Sequence, residues 1–147
     1  MPNKFFAKKV RVNGEVYDSI LEYERFLFLS NEEKEGRIQN LRRQVRYEII
    51  PAQVVYLNRV GKNGQMLQPK KRVIEKAAHY TADFVYESIR KVQVNDKTVI
   101  TKRTIIEDTK SEYTRKEQDY VLRRKLMRYS GNPIIEVTSP TQQTESL

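Results

Sequence analysis

Two strand-like segments carry the residues best suited to chemistry. The first, His79-Tyr80-Thr81-Ala82-Asp83-Phe84-Val85-Tyr86, sets one aspartate inside an otherwise aromatic and apolar run; the second, Thr104-Ile105-Ile106-Glu107-Asp108-Thr109-Lys110, ends on an aspartate and a lysine two positions apart. Side chains on a strand alternate faces, so Asp108 and Lys110 share a face with Ile106, while Glu107 and Thr109 point the other way. If the two strands are neighbours, Asp83 and Asp108 can share one divalent cation, and hard oxygen ligands favour Mg²⁺ or Mn²⁺. Such an ion lowers the pKa of a bound water and offsets the negative charge of a phosphate. Lys110 can orient that water or stabilise developing charge. Glu107 competes with Asp108 for the ligand role, but strand parity sets it opposite Lys110. The plain alternative is a solvated strand end carrying a surface ion pair of little worth.

Composition narrows the chemistry further. The 147 residues include no cysteine and one histidine, His79. Disulfide scaffolds, thiol nucleophiles and cysteine-bound zinc are excluded, and any metal must be held mainly by carboxylates. Lysine and arginine total 28 against 19 acidic residues, a formal net charge of +9. That excess favours polyanionic partners, nucleic acid first among them, although a soluble protein can simply be basic. No apolar run approaches the roughly 18 residues that span a bilayer. The basic start, Met1 to Lys9, has no apolar segment after it and does not read as a secretory signal. The expectation is an intracellular, cytoplasmic protein with no membrane partner.

The elements that must position these side chains can be read in order. Val10–Val12 and Glu15–Tyr17 flank Asn13-Gly14, a hairpin signal because both turn positions need φ > 0. Asp18 and Ser19 open a helix to about Glu35, with Leu21, Phe26, Leu27 and Phe28 expected against the core, and Gly36 stops it. A short link containing Ile38 and Leu41 leads to a strand over Val45–Ile50. Pro51 interrupts it before Val54–Leu57. Residues 58–72 read as a basic loop or hairpin tip. Strands are expected over Ala78–Tyr86 and Thr98–Lys110, with an extra hairpin near Asn95-Asp96 between them. A second helix runs from Thr114, with Glu117 as its capping-box partner, to about Tyr129; its expected core face is Val121, Leu122 and Leu126. Ile134–Val137 forms a last strand. This order gives an α/β (α+β) domain over residues 1–137, a central mixed sheet with a helix near each end and an N-terminal β-hairpin, followed by a loose polar tail over 138–147.

Taken together, the motifs resemble the PD-(D/E)XK nuclease superfamily. The closer similarity is to small phage-encoded endonucleases and Holliday-junction-resolvase-like proteins. It rests on Tyr17-Asp18-Ser19-Ile20-Leu21-Glu22, Gln44-Val45-Arg46-Tyr47, Tyr80-Thr81-Ala82-Asp83-Phe84 and Glu107-Asp108-Thr109-Lys110, in order over roughly residues 4 to 137. Each motif alone is weak. The proline that the superfamily has before its first aspartate is Ala82 here. The resemblance implies a restriction-endonuclease-like core, with Asp83 and Asp108 as metal ligands, Lys110 as the catalytic lysine and Glu22 completing the site. It implies Mg²⁺-dependent cleavage of DNA, with branched DNA such as a Holliday junction as substrate, in phage recombination or replication. Symmetric cleavage would need a homodimer.

Several residues carry a second reading. Ser19-x-x-Glu22 is also a capping box, so Glu22 can serve only the helix start. Gln44 either approaches the site or merely begins a strand. His79 reads as a structural strand residue. The second helix carries Arg115, Lys116, Arg123, Arg124, Lys125 and Arg128: either an ordinary solvated face or a phosphate-contacting one. Lys125 sits beside the expected core face and would reach toward the metal. Lys70, Lys71 and Arg72 would supply a second DNA contact. Nothing resembles a base-reading motif. The competing functions are a non-catalytic DNA-binding protein that keeps the fold, and an RNA-directed nuclease or binding module.

Overall fold

The computed structural model describes residues 8–111 and 116–144. The chain divides into two units, Met1–Val45 with Thr81–Leu147, and Arg46–Tyr80. In the first unit, β1 (Val10–Val12) and β2 (Glu15–Tyr17) form the expected hairpin, with Asn13 at φ 51° and Gly14 at φ 81° in the turn. Helix α1 covers Ile20–Lys34 and ends on Gly36 at φ 77°. There the Gly36 N–H donates to the Glu33 carbonyl and the Arg37 N–H to the Glu32 carbonyl, which satisfies two of the helix's last acceptors.

The central sheet has the order β3 (Ile38–Ile50), β6 (Ala78–Val94), β7 (Lys97–Thr109), β8 (Ile134–Val137). It is mixed: β6 and β7 are antiparallel, while β7 and β8 are parallel and joined through α2 (Gln118–Tyr129). An α+β fold with a central mixed sheet, two helices and an N-terminal hairpin is therefore what this sequence forms. Strands β4 (Gln53–Val60) and β5 (Met66–Glu75) make a separate two-stranded ribbon in the second unit. No helix among the described residues is long and apolar enough to cross a membrane.

The structure differs from five local expectations. The link holding Ile38 and Leu41 is already strand β3, whose continuity was concealed by Asn40 and Gln44, both at positive φ. The basic stretch 58–72 is mostly strand, with only residues 61–65 between β4 and β5. No extra hairpin separates Asp83 from Asp108: β6 and β7 are themselves one long hairpin turning at Asn95-Asp96, both at positive φ. Helix α2 starts at Gln118 with Glu117 as a cap that makes no side-chain hydrogen bond. Thr114, the expected start, lies outside the described residues. The buried positions of α2 are Tyr120 and Met127, whereas Leu122 is exposed.

The core gathers Leu29, Ile38, Phe84, Tyr86 and Ile105, with Phe26 stacked on Phe84. The fully buried stripe of α1 is Glu22, Arg25 and Leu29, at helical spacing but two-thirds charged; Leu27, expected inside, is exposed. Arg25 is made tolerable by its partners. Its Nε and Nη2 donate to the two Glu107 carboxylate oxygens at 2.8 and 2.7 Å. Its Nη1 donates to the carbonyls of Pro140 and Gln142 at 3.0 and 2.6 Å. The Tyr86 hydroxyl donates to Glu107 and meets Thr144 Oγ1 at 2.8 Å. The segment expected as a loose tail thus supplies acceptors to a buried guanidinium. Removing one member of such a pair strands a charge in the core, at about 3–5 kcal/mol. Arg25→Met or Glu107→Leu alone is expected to lower the urea unfolding free energy by about that amount, and the double variant by clearly less than the sum; additive losses would contradict a coupled pair.

Candidate metal centre

Glu22 reaches its position through the start of α1. Ser19, extended at φ −157°, caps the helix by accepting the Glu22 N–H on its Oγ at 3.1 Å. The Glu22 Oε2 in turn accepts the Asp18 N–H at 2.5 Å. The capping reading is therefore true, and it is incomplete. Glu22 is 1 % exposed, and its Oε1 accepts from Gln44 Nε2 at 2.7 Å. The same Gln44 nitrogen lies 3.4 Å from Asp83 Oδ1, so one amide bridges two carboxylates. Gln44 does this from φ 52°, a left-handed conformation that costs a non-glycine residue about 1 kcal/mol or more. Its place beside the site, left open by the sequence, is explicit in the fold.

Asp83 lies one position beyond the last β6–β7 pair, Phe84 with Glu107. Its Oδ2 accepts both the N–H and the Oγ–H of Thr109 at 2.8 Å each, which leaves Oδ1 toward Gln44. Among the described residues, Asp18, Glu22 and Asp83 form a group whose carboxylate oxygens lie within 4.8 Å of one another. Asp18, which in the sequence reads only as a helix opener beside a capping serine, carries no local signal of this role.

The electrostatics of this group are unbalanced. Among the described residues, the cation paired with Glu22 is Arg43, whose Nη2 is 3.9 Å away and is engaged by the Val16 carbonyl, while its guanidinium stacks 3.8 Å from the Tyr17 ring centroid. Burial, then the Asp83 charge, push the Glu22 carboxyl up from 4.5 to about 7; the Asp18 N–H and Arg43 pull it partway back. A buried carboxylate crowded by two others, two of the three bridged by the Gln44 amide, offers the hard oxygen donors that a divalent cation fits.

Asp108 lies outside that group. It is 2 % exposed, with Lys110 Nζ 3.2 Å from its Oδ1, so it is no solvated strand end. Lys110 Nζ stands 4.8 Å from the Tyr120 ring centroid. On β8, Glu136 pairs in register with Asp108 and accepts from Arg124 Nη1 at 2.9 Å. Glu136 Oε2 and the Tyr120 hydroxyl are buried with no hydrogen-bond partner among the described residues. Burial and the nearby Asp108 and Glu136 charges push the Tyr120 phenol up. Glu107 points to the opposite side as parity required, into the Arg25 pair. In the second unit, His79 meets Arg46 and Glu48, consistent with a structural role.

Of the expected DNA contacts, Lys116, Lys125 and Arg128 are exposed on or next to α2, and Lys125 does not turn inward as expected. A cleft of about 340 Å³ runs between α2 and β8, lined by Arg124, Lys125, Arg128 and Glu136. Lys70, Lys71 and Arg72 are exposed on β5. Arg115 lies outside the described residues. A family model described as a protein of unknown function (DUF1064) matches residues 2–131, a span that includes the acidic group, Asp108 and Lys110. No curated protein and no solved structure matches the chain.

Because the fold raises the Glu22 pKa, the native state binds a proton more tightly than the unfolded chain. Stability is then highest below about pH 4.5 for this group and falls as pH rises through about 7. The full shift corresponds to at most about 3 kcal/mol. Glu22→Gln, which keeps an acceptor for the Asp18 N–H and can pair with a flipped Gln44 amide, is expected to be the more stable protein at pH 8 and to flatten the decline. Urea titrations between pH 5 and 8 check this; an equally steep decline in the variant would assign it elsewhere.

Proposed function

The chain belongs to the DUF1064 family, and we propose that this member is a metal-dependent endodeoxyribonuclease. One observation carries the reading: Glu22 from α1 and Asp83 from β6, far apart in sequence, converge with Asp18 into an under-neutralised group of oxygen donors. The resemblance of the Asp83, Asp108 and Lys110 motifs to PD-(D/E)XK nucleases agrees with it, as does the net charge of +9.

Glu22 and Asp83 would hold a Mg²⁺ or Mn²⁺ ion, with Asp18 or Asp108 as the further carboxylate. Such an ion, when bound, supplies charge to a phosphodiester oxygen and acidity to a water. The chain's own groups do the rest. Thr109 fixes Asp83 through two donors, so that its remaining oxygen has one orientation. Gln44 holds Glu22 and Asp83 at a constant separation. Lys110, anchored by Asp108 and the Tyr120 face and still partly open to solvent, presents its amine to the phosphate or the attacking water. Arg124, Lys125 and Arg128 along the α2 cleft contact backbone phosphates and set the register of the strand. Branched DNA is the proposed substrate and a homodimer the form that would cut it symmetrically.

Supercoiled plasmid and a synthetic four-way junction, each incubated with Mg²⁺, Mn²⁺ or EDTA, test the reading. Cleavage is expected only with metal. Asp83→Asn and Lys110→Ala are each expected to lower its rate by about 100-fold or more, with DNA affinity in EDTA changed little. Asp18→Asn and Asp108→Asn, compared side by side, identify the further ligand as the one whose loss abolishes cleavage. Tight binding without cleavage under every metal condition would make the protein a DNA-binding relative of the nucleases instead, and preference for matched RNA would change the substrate class.

A further inference from the structure

The β4–β5 ribbon has a property that neither the catalytic reading nor core packing uses. Every residue of β5 is exposed, as is all of β4 except half-buried Val54. Between Gln53 and Glu75 it carries Arg59, Lys62, Lys70, Lys71 and Arg72 against the single carboxylate of Glu75. The register gives three of these cations a face. Tyr56 pairs with Lys71, while Val55 pairs with Arg72 and Leu57 with Lys70. Cross-strand partners share a face and successive pairs alternate. One face therefore shows Lys71 beside Tyr56; the other shows Lys70 and Arg72 beside Leu57 and Val55.

A ribbon that lay flat on a surface would segregate its charges to one side. This one is cationic on both. A second copy laid against it would oppose like charges, whereas a polyanion would meet a cation at either face. Both strands of this ribbon are edges, and lysines and a proline there also deter strand-to-strand aggregation; that need does not call for a tyrosine–lysine pair on one face and two cations on the other. A setting in which both faces of a two-stranded ribbon can meet phosphate is the major groove of B-form DNA, about 12 Å wide, able to admit such a ribbon and walled on each side by a backbone.

We propose that the β4–β5 ribbon is a DNA-binding arm that enters the major groove of duplex DNA, with Lys71 on one wall and Lys70 and Arg72 on the other. This rests on the DNA-binding part of the proposed function and is independent of cleavage.

The test is equilibrium binding of the full chain to a fluorescent DNA duplex in EDTA, over a range of salt concentrations. Each lost phosphate contact reduces the steepness of the fall of log K with log salt by about 0.9. Lys71→Ala is expected to lower it by about 1, and Lys70→Ala with Arg72→Ala by about 2. The triple variant is expected to bind about tenfold or more weakly at 0.15 M salt. Methylation of guanine N7 in the duplex should weaken binding of the wild-type chain. The same substitutions should leave binding to duplex RNA, whose major groove is deep and narrow, nearly unchanged. In the wild-type chain, bound DNA should protect both Lys70 and Lys71 from acetylation, a readout that needs no variant to fold. A response confined to one face, insensitivity to N7 methylation, or equal losses on RNA would each overturn the groove assignment. Ribbon variants that bind normally in a protein that still cleaves would sink the arm and leave the nuclease reading standing; ribbon-dependent binding without metal-dependent cleavage would do the reverse.

Discussion

Burying Arg25 against Glu107 takes two full charges out of water, at several kcal/mol per ion, and only complete hydrogen bonding offsets that. Completeness is what the fold supplies: a bidentate pair, two carbonyls from residues 140 and 142, and the Tyr86 hydroxyl. The pair cannot slide, because any shift of α1 along the sheet would strand a charge. It therefore sets the register of the helix against β7. Glu22 lies three residues before Arg25 on the same buried stripe, and Asp108 follows Glu107 on the strand. One structural contact thus fixes the height of the helix carboxylate and the parity of the strand that bears Asp108 and Lys110. A greasy contact of similar area would have been more forgiving and would have specified less.

The candidate metal centre is the opposite case: a place where the fold leaves its charges unbalanced. Glu22 is desolvated, flanked by Asp83 and Asp18, and met by two neutral amide donors, with the Arg43 guanidinium 3.9 Å away. Gln44 adds backbone strain at φ 52°. Neither feature helps the chain fold. Both make sense if a divalent ion joins the group, since the ion's charge then stabilises the carboxylates that destabilise each other without it. A few residues away, Asp108 with Lys110 and Glu136 with Arg124 are locally balanced pairs. The candidate site thus sets an under-neutralised acidic group beside two ion pairs whose cations, Lys110 and Arg124, are partly open to solvent.

Much of this was legible in the sequence where local chemistry dominates. Asn13-Gly14, Gly36 and Asn95-Asp96 announced turns because few residues tolerate their φ. Alternation along Thr104–Lys110 alone separates the faces of Glu107 and Asp108. What stayed hidden was decided by long-range partners. Ser19-x-x-Glu22 reads as a cap, and nothing local says that Gln44 and Asp83 also meet it. Arg25 looks like a surface residue until Glu107 is placed against it, so the hydrophobic residues of α1 suggest a buried stripe that includes Leu27, which the fold exposes. Strand β5 neither alternates nor buries anything, so periodicity had no signal to offer. Acceptors at Pro140 and Gln142 are backbone carbonyls, which a sequence does not advertise.

The central claim is that Glu22 and Asp83 were brought together to hold a divalent cation. A crystal grown with Mn²⁺ and measured at its absorption edge would locate the ion by anomalous scattering. The account requires a peak between these two side chains, with carboxylate oxygens about 2.1 Å away. A fully occupied peak elsewhere, or none at this position at millimolar Mn²⁺, would contradict it.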